Sequence, residues 1–229
     1  MDRNKKYFLD FLDGKGVKKV IFEPFISRKH TETLIWRRGN NLWDSPENYI
    51  ETLIYLSERT VSDIIFADMR IFNKAEEKER LIKHIELKSK EILPLGFGLI
   101  CGNTYEVELA EMCGNIDVLA LYENCTSDKF PVIRMDGDIQ SAVKRGESGW
   151  FAPDSAEYYL DNYSDKIKIL GGLGKSWVEE NSPALIYERI EKISANYPEK
   201  WSCGSGGMIS DENYLELISL LGAFLRTRD

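Results

Sequence analysis

The sequence predicts an α/β protein: a compact (β/α)8 TIM barrel with an N-terminal helix. Three observations carry this prediction. Apolar runs rich in β-branched and aromatic residues alternate with amphipathic segments along the 229 residues. Eight such runs can be counted, and strands that are apolar on both faces belong to parallel sheets covered by helices. Many of these runs break into polar residues at their ends, where the sites of such barrels are built.

The strand candidates follow one another at the spacing expected for βα units. They cover residues 17–25, 62–72, 93–101, 116–124, 132–138, 149–155, 166–174 and 200–210. A doubly wound open sheet is the alternative. Neither GxGxxG nor GxxxxGK[ST] occurs where a nucleotide-binding open sheet would need it.

Helix candidates fill the intervals, and several carry end signals. They cover residues 4–13, 31–38, 46–60, 74–91, 104–113, 139–146, 156–163, 183–196 and 211–225. Ser45-Pro46 and Ser182-Pro183 each place a capping serine before a proline at the first helical position. The charged segment 74–91 has only a narrow apolar stripe, so we expect His84 within it to be solvated.

Composition limits the class of protein. Hydrophobic residues make up 43% and charged residues 30% of the chain, which is enough for one large core or two small ones. Because no interdomain linker is found in the sequence, we expect a single domain over 1–229. The net charge of −8 argues against nucleic acid and anionic membranes as general partners. Four scattered cysteines without CxxC indicate reduced, mostly buried thiols. With neither a signal peptide nor a membrane span in the sequence, we expect a cytoplasmic protein.

The polar residues at the strand ends are the candidate site. Asp68 and Asp136 each follow an apolar run and are the candidate catalytic carboxylates. The candidate substrate-binding residues are Arg28, His30, Arg70, Tyr122, Arg134, Asp138, Gly172, Cys203 and Gly206. Clustered carboxylates and arginines suit proton transfer or an ionic substrate. No metal site is predicted, because the chain has two histidines and neither HxxxH nor CxxC.

Each candidate also has a purely structural interpretation. A strand-end aspartate can cap a loop or the next helix. Arg134 can pair with a neighbouring carboxylate, and Cys203 can be a small buried side chain. The glycines around Gly172 can form turns, or they can leave room for a ligand near the backbone.

Taken together, these segments resemble the uroporphyrinogen decarboxylase superfamily, which also contains cobamide-dependent methyltransferases. The similarity covers about residues 17–225. It is carried by SPENYIETLIYLSERTVSDIIFADMRIF, VIRMDGDI, KIKILGGLG with SPALIYERIEKI, and CGSGGMISDENYLELISLLGAF. The resemblance implies a TIM barrel and matches Asp68 to the aspartate that contacts pyrrole nitrogens in the decarboxylase. It also lets Arg28 stand in for an arginine that holds substrate carboxylates, although the family's arginine-glutamine-alanine-glycine-arginine run is absent.

The methyltransferase branch fits less well. Its zinc ligands, a His-x-Cys at strand 5 and a Cys at strand 8, fall on Arg134, Asp136 and a position near Gly207. We therefore expect metal-independent, decarboxylase-like chemistry on a carboxylated or tetrapyrrole substrate, without a cofactor. A corrinoid-linked methyltransferase using zinc or corrinoid, and a non-catalytic barrel that binds a tetrapyrrole or a partner protein, remain the alternatives. A homodimer is possible, as the decarboxylases commonly form one.

Overall fold

The structure is a computed structural model, and it describes residues 5–15, 22–23, 45–60, 64–92, 95–122 and 124–204. The strands are β1 (Phe22–Glu23), β2 (Ile64–Asp68), β3 (Gly96–Cys101), β4 (Val118–Leu121), β5 (Val132–Arg134), β6 (Gly149–Ala152), β7 (Lys168–Gly171) and β8 (Trp201–Gly204). The helices are α1 (Lys5–Leu12), α2 (Pro46–Thr60), α3 (Ala75–Glu91), α4 (Thr104–Met112), α5 (Ile139–Arg145), α6 (Ala156–Tyr163), α7 (Lys175–Glu180) and α8 (Pro183–Asn196). The expected helices 31–38 and 211–225 lie outside the described residues.

The strands form one eight-stranded sheet in the order β1-β8-β7-β6-β5-β4-β3-β2. Each of the hydrogen-bonded pairs in this order is parallel, from β1 with β8 to β2 with β3. Apart from the step between β1 and β8, neighbours in the sheet are neighbours in the chain. This is the cyclic order of a (β/α)8 barrel, with β1 and β2 as its two ends, and it confirms the predicted fold class.

Side chains alternate along the strands between two apolar layers. Ile64, Phe66, Ile100, Val118, Ala120, Ile133, Phe151 and Leu170 form an inner cluster inside the barrel. The intervening residues, such as Ile65 and Ala67, pack outward against the helices. Gly98 permits close packing inside, because a Cβ there would lie 2.5 Å from the Phe66 ring. The parity of a strand residue therefore decides whether it faces the barrel axis or the helices.

Helix α1 closes the N-terminal end of the barrel. Its apolar residues Phe8, Phe11 and Leu12 belong to the inner cluster, and the Phe8 and Phe66 rings meet edge to face with centroids 6.1 Å apart. Lys5 Nζ donates to Asp117 Oδ1 at 2.8 Å, just before β4 begins. The opposite end is formed by the C-terminal strand ends and the residues after them, and we call it the mouth.

Within the described residues, strands β2 and β4 to β7 end earlier than the sequence predicted, because the residues after them begin new turns and helices. Asp68 ends β2 and caps the 3-10 turn Met69–Ile71, accepting from the Arg70 backbone N–H. Helix α7 follows β7 and was not predicted. The expectation for His84 was wrong: its side chain is only 15% exposed, and Nε2 lies 3.0 Å from Glu51 Oε1 on α2.

The thiols that the structure describes match the expectation from composition. Cys101, Cys113 and Cys125 are buried thiols that are not in disulfides. Burial raises the pKa of Cys101 well above its usual value, and the nearby Glu106 charge acts in the same direction. In the described part of the chain, the helices are all too short or too polar to cross a membrane.

Candidate functional site

The first component of the site is an arginine held by a carboxylate at the end of β2. Arg70 donates from Nε to Asp68 Oδ1 at 2.9 Å and from Nη2 to Oδ2 at 2.8 Å. Burial acts to lower the pKa of Arg70, but the hydrogen bonds and charge of Asp68 offset this and raise it. Asp68 thus engages the Nε–Nη2 edge of a permanently charged group, and 32% of the Arg70 side chain stays exposed.

Tyr122 covers one face of this guanidinium. It directly follows β4, and the Arg70 Cζ lies 3.9 Å from the centroid of its ring. Tyr122 has the parity of Val118 and Ala120 and packs against the inner cluster. A cation stacked on an aromatic face is attracted by the ring quadrupole. Arg70 is therefore fixed on an edge by Asp68 and on a face by Tyr122, at the mouth of the barrel.

Gly102, which directly follows β3, makes room for the aliphatic stem of Arg70. A Cβ at Gly102 would lie 2.9 Å from Arg70 Cδ and 3.2 Å from Cγ. The backbone of Gly102 is held in turn by Glu106, whose Oε2 accepts from the Gly102 N–H at 2.7 Å. Asn103 and Glu106 have the three-residue spacing of a capping pair, which is a signal for this loop in the sequence. We did not predict either Gly102 or Glu106 as part of a site.

Tyr49 on α2 supports Asp68 from the helix side. The Asp68 backbone N–H donates to Tyr49 Oη at 2.9 Å. The Tyr49 side chain is buried, and burial together with the Asp68 charge raises the pKa of its hydroxyl. The end of β2 is therefore held both by its sheet partner and by a neutral phenol.

Arg134 does not lie where the sequence suggested. It shares the outward parity of Val132 in β5, is 1% exposed, and faces the helices instead of the barrel axis. Its Nε donates to Glu147 Oε2 at 3.1 Å and its Nη2 to the Cys125 carbonyl at 2.7 Å. Arg134 therefore pairs with a neighbouring carboxylate, as its purely structural interpretation predicted.

Asp136 and Asp138, which follow Arg134 in the chain, have different surroundings. Asp138 caps α5, accepting from the backbone N–H groups of Gln140 and Ser141 at 3.2 and 3.1 Å. The Gln140 N–H, followed by the Ser141 hydroxyl, lowers the pKa of Asp138. Asp136 lies between β5 and this cap and is partly exposed, on the same edge of the sheet as Tyr122.

Gly172 directly follows β7 and lies against the start of α6. Its φ is +80°, and a Cβ there would lie 2.5 Å from the Ala156 backbone nitrogen. The Ala156 N–H donates to the Gly172 carbonyl at 2.9 Å. Arg189 on α8 donates from Nη1 to the Leu173 carbonyl at 3.0 Å. The glycine is thus required for close packing of the backbone.

Glu157 anchors Arg189 and therefore the loop after β7. Arg189 donates from Nε to Glu157 Oε1 at 2.9 Å and from Nη2 to Oε2 at 2.7 Å. Burial acts to raise the pKa of Glu157, but Arg189, the Glu157 backbone N–H and Ser155 lower it to about 2. The Trp177 ring lies 4.5 Å from Arg189 Cζ and covers the pair.

The side chains of the four remaining predicted residues lie outside the part of the chain that the structure describes. Arg28, His30 and Gly206 lie outside the described residues. Cys203 lies in β8, where its backbone pairs with Phe22, and its side chain is outside the described part. Among the described residues, no group of three or more His, Cys, Asp or Glu side chains could hold a metal ion. The candidate site that the structure shows is Asp68, Arg70, Gly102 and Tyr122.

The chain resembles known proteins in structure but not in sequence. No protein-family model matches the sequence, and no curated protein sequence matches it. A phosphoribosyl anthranilate isomerase crystallised with reduced 1-(o-carboxyphenylamino)-1-deoxyribulose 5-phosphate is 12% identical over 76% of this chain and 92% of its own, with a TM-score of 0.49. Monomers generated from the dimeric Thermotoga maritima isomerase are 12% identical over 75% and 92%, with a TM-score of 0.45. Yersinia pestis DHPS bound to a pterine-sulfa conjugate is 10% identical over 77% and 89%, also with a TM-score of 0.45.

These similarities are too distant to indicate an activity. The barrel assignment rests on the strand order of the molecule itself. Of the resemblance to the uroporphyrinogen decarboxylase superfamily, the TIM barrel is the part that the structure shows. Nothing in the comparisons ties the chain to that superfamily.

Proposed function

We propose that this protein is an enzyme that binds a carboxylated small molecule at the mouth of the barrel, with Arg70 as its anion-binding group. The single observation that supports this is the fixed, partly exposed guanidinium between Asp68 and Tyr122. An arginine has five N–H donors in a rigid fork. Asp68 engages one edge of that fork, and a substrate carboxylate fits the other edge.

The reaction we propose is metal-independent decarboxylation, with tetrapyrroles as the first substrates to test because of the strand-end resemblance. The substrate ring first takes up a proton from solvent, and the ring cation accepts the electron pair that is left when the C–C bond to carbon dioxide breaks. A second proton, whose delivery we assign to Asp136, then adds at the carbon that lost the carboxylate, and the ring releases the first proton to solvent. Arg70 holds a carboxylate that stays on the substrate, since pairing with the departing one would stabilise the ground state.

Asp68 has a different part in this proposal than the resemblance implied. Both of its oxygens accept from Arg70, so its charge is committed to the guanidinium. We therefore assign Asp68 to positioning Arg70 and not to direct contact with pyrrole nitrogens. Asp68→Asn keeps an oxygen that can cap the 3-10 turn but removes the charge that holds Arg70.

Binding can be tested with citrate and coproporphyrin, which carry several carboxylates. Wild-type protein, Arg70→Gln and the matched control Arg80→Gln would be titrated by calorimetry. Arg80 is a suitable control because it is 52% exposed and pairs with Glu47 on the outer helices. We expect binding in the wild type and in Arg80→Gln, and a loss of about tenfold or more in Arg70→Gln. Equal binding by Arg70→Gln, or no binding of either probe by the wild type, contradicts the proposal.

Turnover is a separate test. Uroporphyrinogen would be incubated anaerobically with wild type and Asp68→Asn, and the carboxylate count of the products measured by mass spectrometry. The proposed chemistry predicts stepwise loss of carbon dioxide in the wild type and a clear decrease in Asp68→Asn. Binding without turnover supports the non-catalytic barrel, while unchanged turnover in Asp68→Asn contradicts the assigned role of Asp68.

A further inference from the structure

An ion pair is buried behind the mouth. Glu106 on α4 is 1% exposed and pairs with Lys78 on α3, whose side chain is 11% exposed. Removing two charges from water is costly, and an apolar pair of the same size is often as stable. The stability of the barrel alone therefore gives little reason for a charged pair at this place.

The contacts of Glu106 lead toward Arg70. One carboxylate oxygen faces Lys78, and the other accepts from the Gly102 N–H at 2.7 Å. The stem of Arg70 lies directly over Gly102, where an added Cβ would come within 2.9 Å of Cδ. A shift of the Gly102 backbone by a few tenths of an ångström therefore changes where the stem of Arg70 rests.

We propose that Glu106 is a positioning residue for Arg70, acting through the Gly102 backbone, and that Lys78 compensates the charge that Glu106 brings into the interior. The Glu106 side chain thus fixes the position of the loop on which the stem of Arg70 lies. This inference deepens the proposed function and rests on it for its purpose, but its test below needs no ligand.

Two double variants separate positioning from general stability. Lys78→Met with Glu106→Met replaces the pair by apolar side chains and removes the acceptor for Gly102. Lys78→Met with Glu106→Gln also removes both charges but keeps an oxygen that can accept from the same N–H. Neither variant leaves a lone buried charge, which is the usual reason that such changes unfold a protein. The two differ only in whether residue 106 can hold Gly102.

The direct readout is the rate at which the Arg70 Nε–H exchanges with solvent, measured by 15N NMR. The Arg70 signal is assigned by its loss in Arg70→Lys. Arg134 and Arg189 are internal references, because their Nε groups donate to Glu147 at 3.1 Å and to Glu157 at 2.9 Å. We expect exchange of the Arg70 signal to accelerate about fivefold or more in the Met/Met variant. It should stay within about twofold of wild type in the Met/Gln variant, and both references should be unchanged. Unchanged Arg70 exchange in Met/Met, or equal acceleration of all three arginines, overturns the proposal.

A measurement on the wild type covers the case in which a variant does not fold. If Glu106 sets the position of Arg70 through Gly102, the Gly102 amide and the Arg70 Nε–H become exposed in one opening. Their exchange should then show the same dependence on low concentrations of urea. Openings with different urea dependence overturn the proposal.

Failure of the proposed function gives a different pattern. In that case Arg70→Gln binds citrate and coproporphyrin as wild type does, while the NMR result for the double variants stands. If both proposals hold, Met/Met loses affinity for the probes about as much as its Arg70 exchange accelerates, and Met/Gln keeps it. Loss of affinity without a change in Arg70 exchange contradicts positioning through Gly102.

Discussion

The guanidinium of Arg70 lies 3.9 Å from the centre of the Tyr122 ring, and the two residues follow different strands of the barrel. We predict that Tyr122→Phe keeps probe binding within about twofold of wild type, because the aromatic face remains. Tyr122→Leu removes the face and should weaken binding about two- to fivefold, which matches the usual strength of a partly exposed cation–π contact. Calorimetry with citrate checks this. Equal affinity in the Leu and Phe variants would show that the ring contributes nothing to the site.

Gly102→Ala should displace Arg70. The backbone at Gly102 does not need glycine, since its φ is not positive, so the conflict is with the Arg70 stem 2.9 Å away. We expect a cost of about 1–3 kcal/mol in unfolding free energy and loss of the protected Arg70 Nε–H signal. Gly114→Ala is the control, because nothing lies within 4 Å of its added Cβ. If both variants keep the Arg70 signal, the stem does not depend on the space at Gly102.

Gly172→Ala should be far more destabilising than Gly137→Ala. Both glycines have φ of +80°, so both alanines carry the same backbone strain of about 1–3 kcal/mol. At Gly172 a Cβ also meets the Ala156 backbone at 2.5 Å, whereas at Gly137 nothing lies within 4 Å. Urea denaturation measures both, and the difference isolates the close approach of β7 to α6. Equal losses would mean that this contact adjusts without cost.

The Glu157–Arg189 pair should make the unfolding free energy depend on pH. The pKa of Glu157 is lowered from 4.5 to about 2 in the folded protein, so folding favours its charged form. Its contribution is complete above the unfolded pKa and is lost as the pH falls from about 5 toward 2. The stability difference between wild type and Glu157→Gln should therefore be largest at neutral pH and shrink below pH about 4.5. Glu188→Gln, on the exposed face of α8, is the control. A difference that does not vary with pH contradicts the predicted linkage.

Helix α1 should be essential to the inner core. Phe8 is 0% exposed, and Phe8→Ala removes most of a buried ring that meets Phe66. We expect a loss of about 3–5 kcal/mol in unfolding free energy. Tyr7→Ala on the same helix should cost much less, because Tyr7 is 38% exposed. Equal losses in the two variants would mean that α1 is not seated in the barrel.

The sequence predicted the barrel because each strand is a run of apolar residues ended by polar ones, and that signal is local. It predicted Asp68, Arg70 and Tyr122 as site residues for the same reason, because each of them stands at or just after the end of such a run. It put Arg134 at the mouth because the run from Phe130 is apolar on both faces, so its pattern does not tell which parity faces inward. The structure decides this through Val132 and Ile133, which lie in the outer and inner clusters respectively.

The supporting residues were missed for another reason. Lys78 and Glu106 are separated by 28 positions and stand in polar helices, where charged residues are normally solvated. Only the packing of α3 against α4 makes them a buried pair. Gly102 gave a weak signal, since a glycine at a strand end reads as a simple turn. A glycine is needed there to leave room for the stem of Arg70, which follows a different strand.

The closure of the barrel by α1 sets an order of events during synthesis on the ribosome. Its apolar face meets Phe66 from β2, and it belongs to the same buried cluster as Phe151 from β6 and Leu170 from β7. Those late strands emerge well over a hundred residues after the helix, so the face cannot be covered until most of the chain has left the exit tunnel. The contacts have high sequence separation and are expected to form slowly. Nascent chains stalled before β6 should therefore bind a holdase chaperone, and Phe8→Ala should reduce that binding.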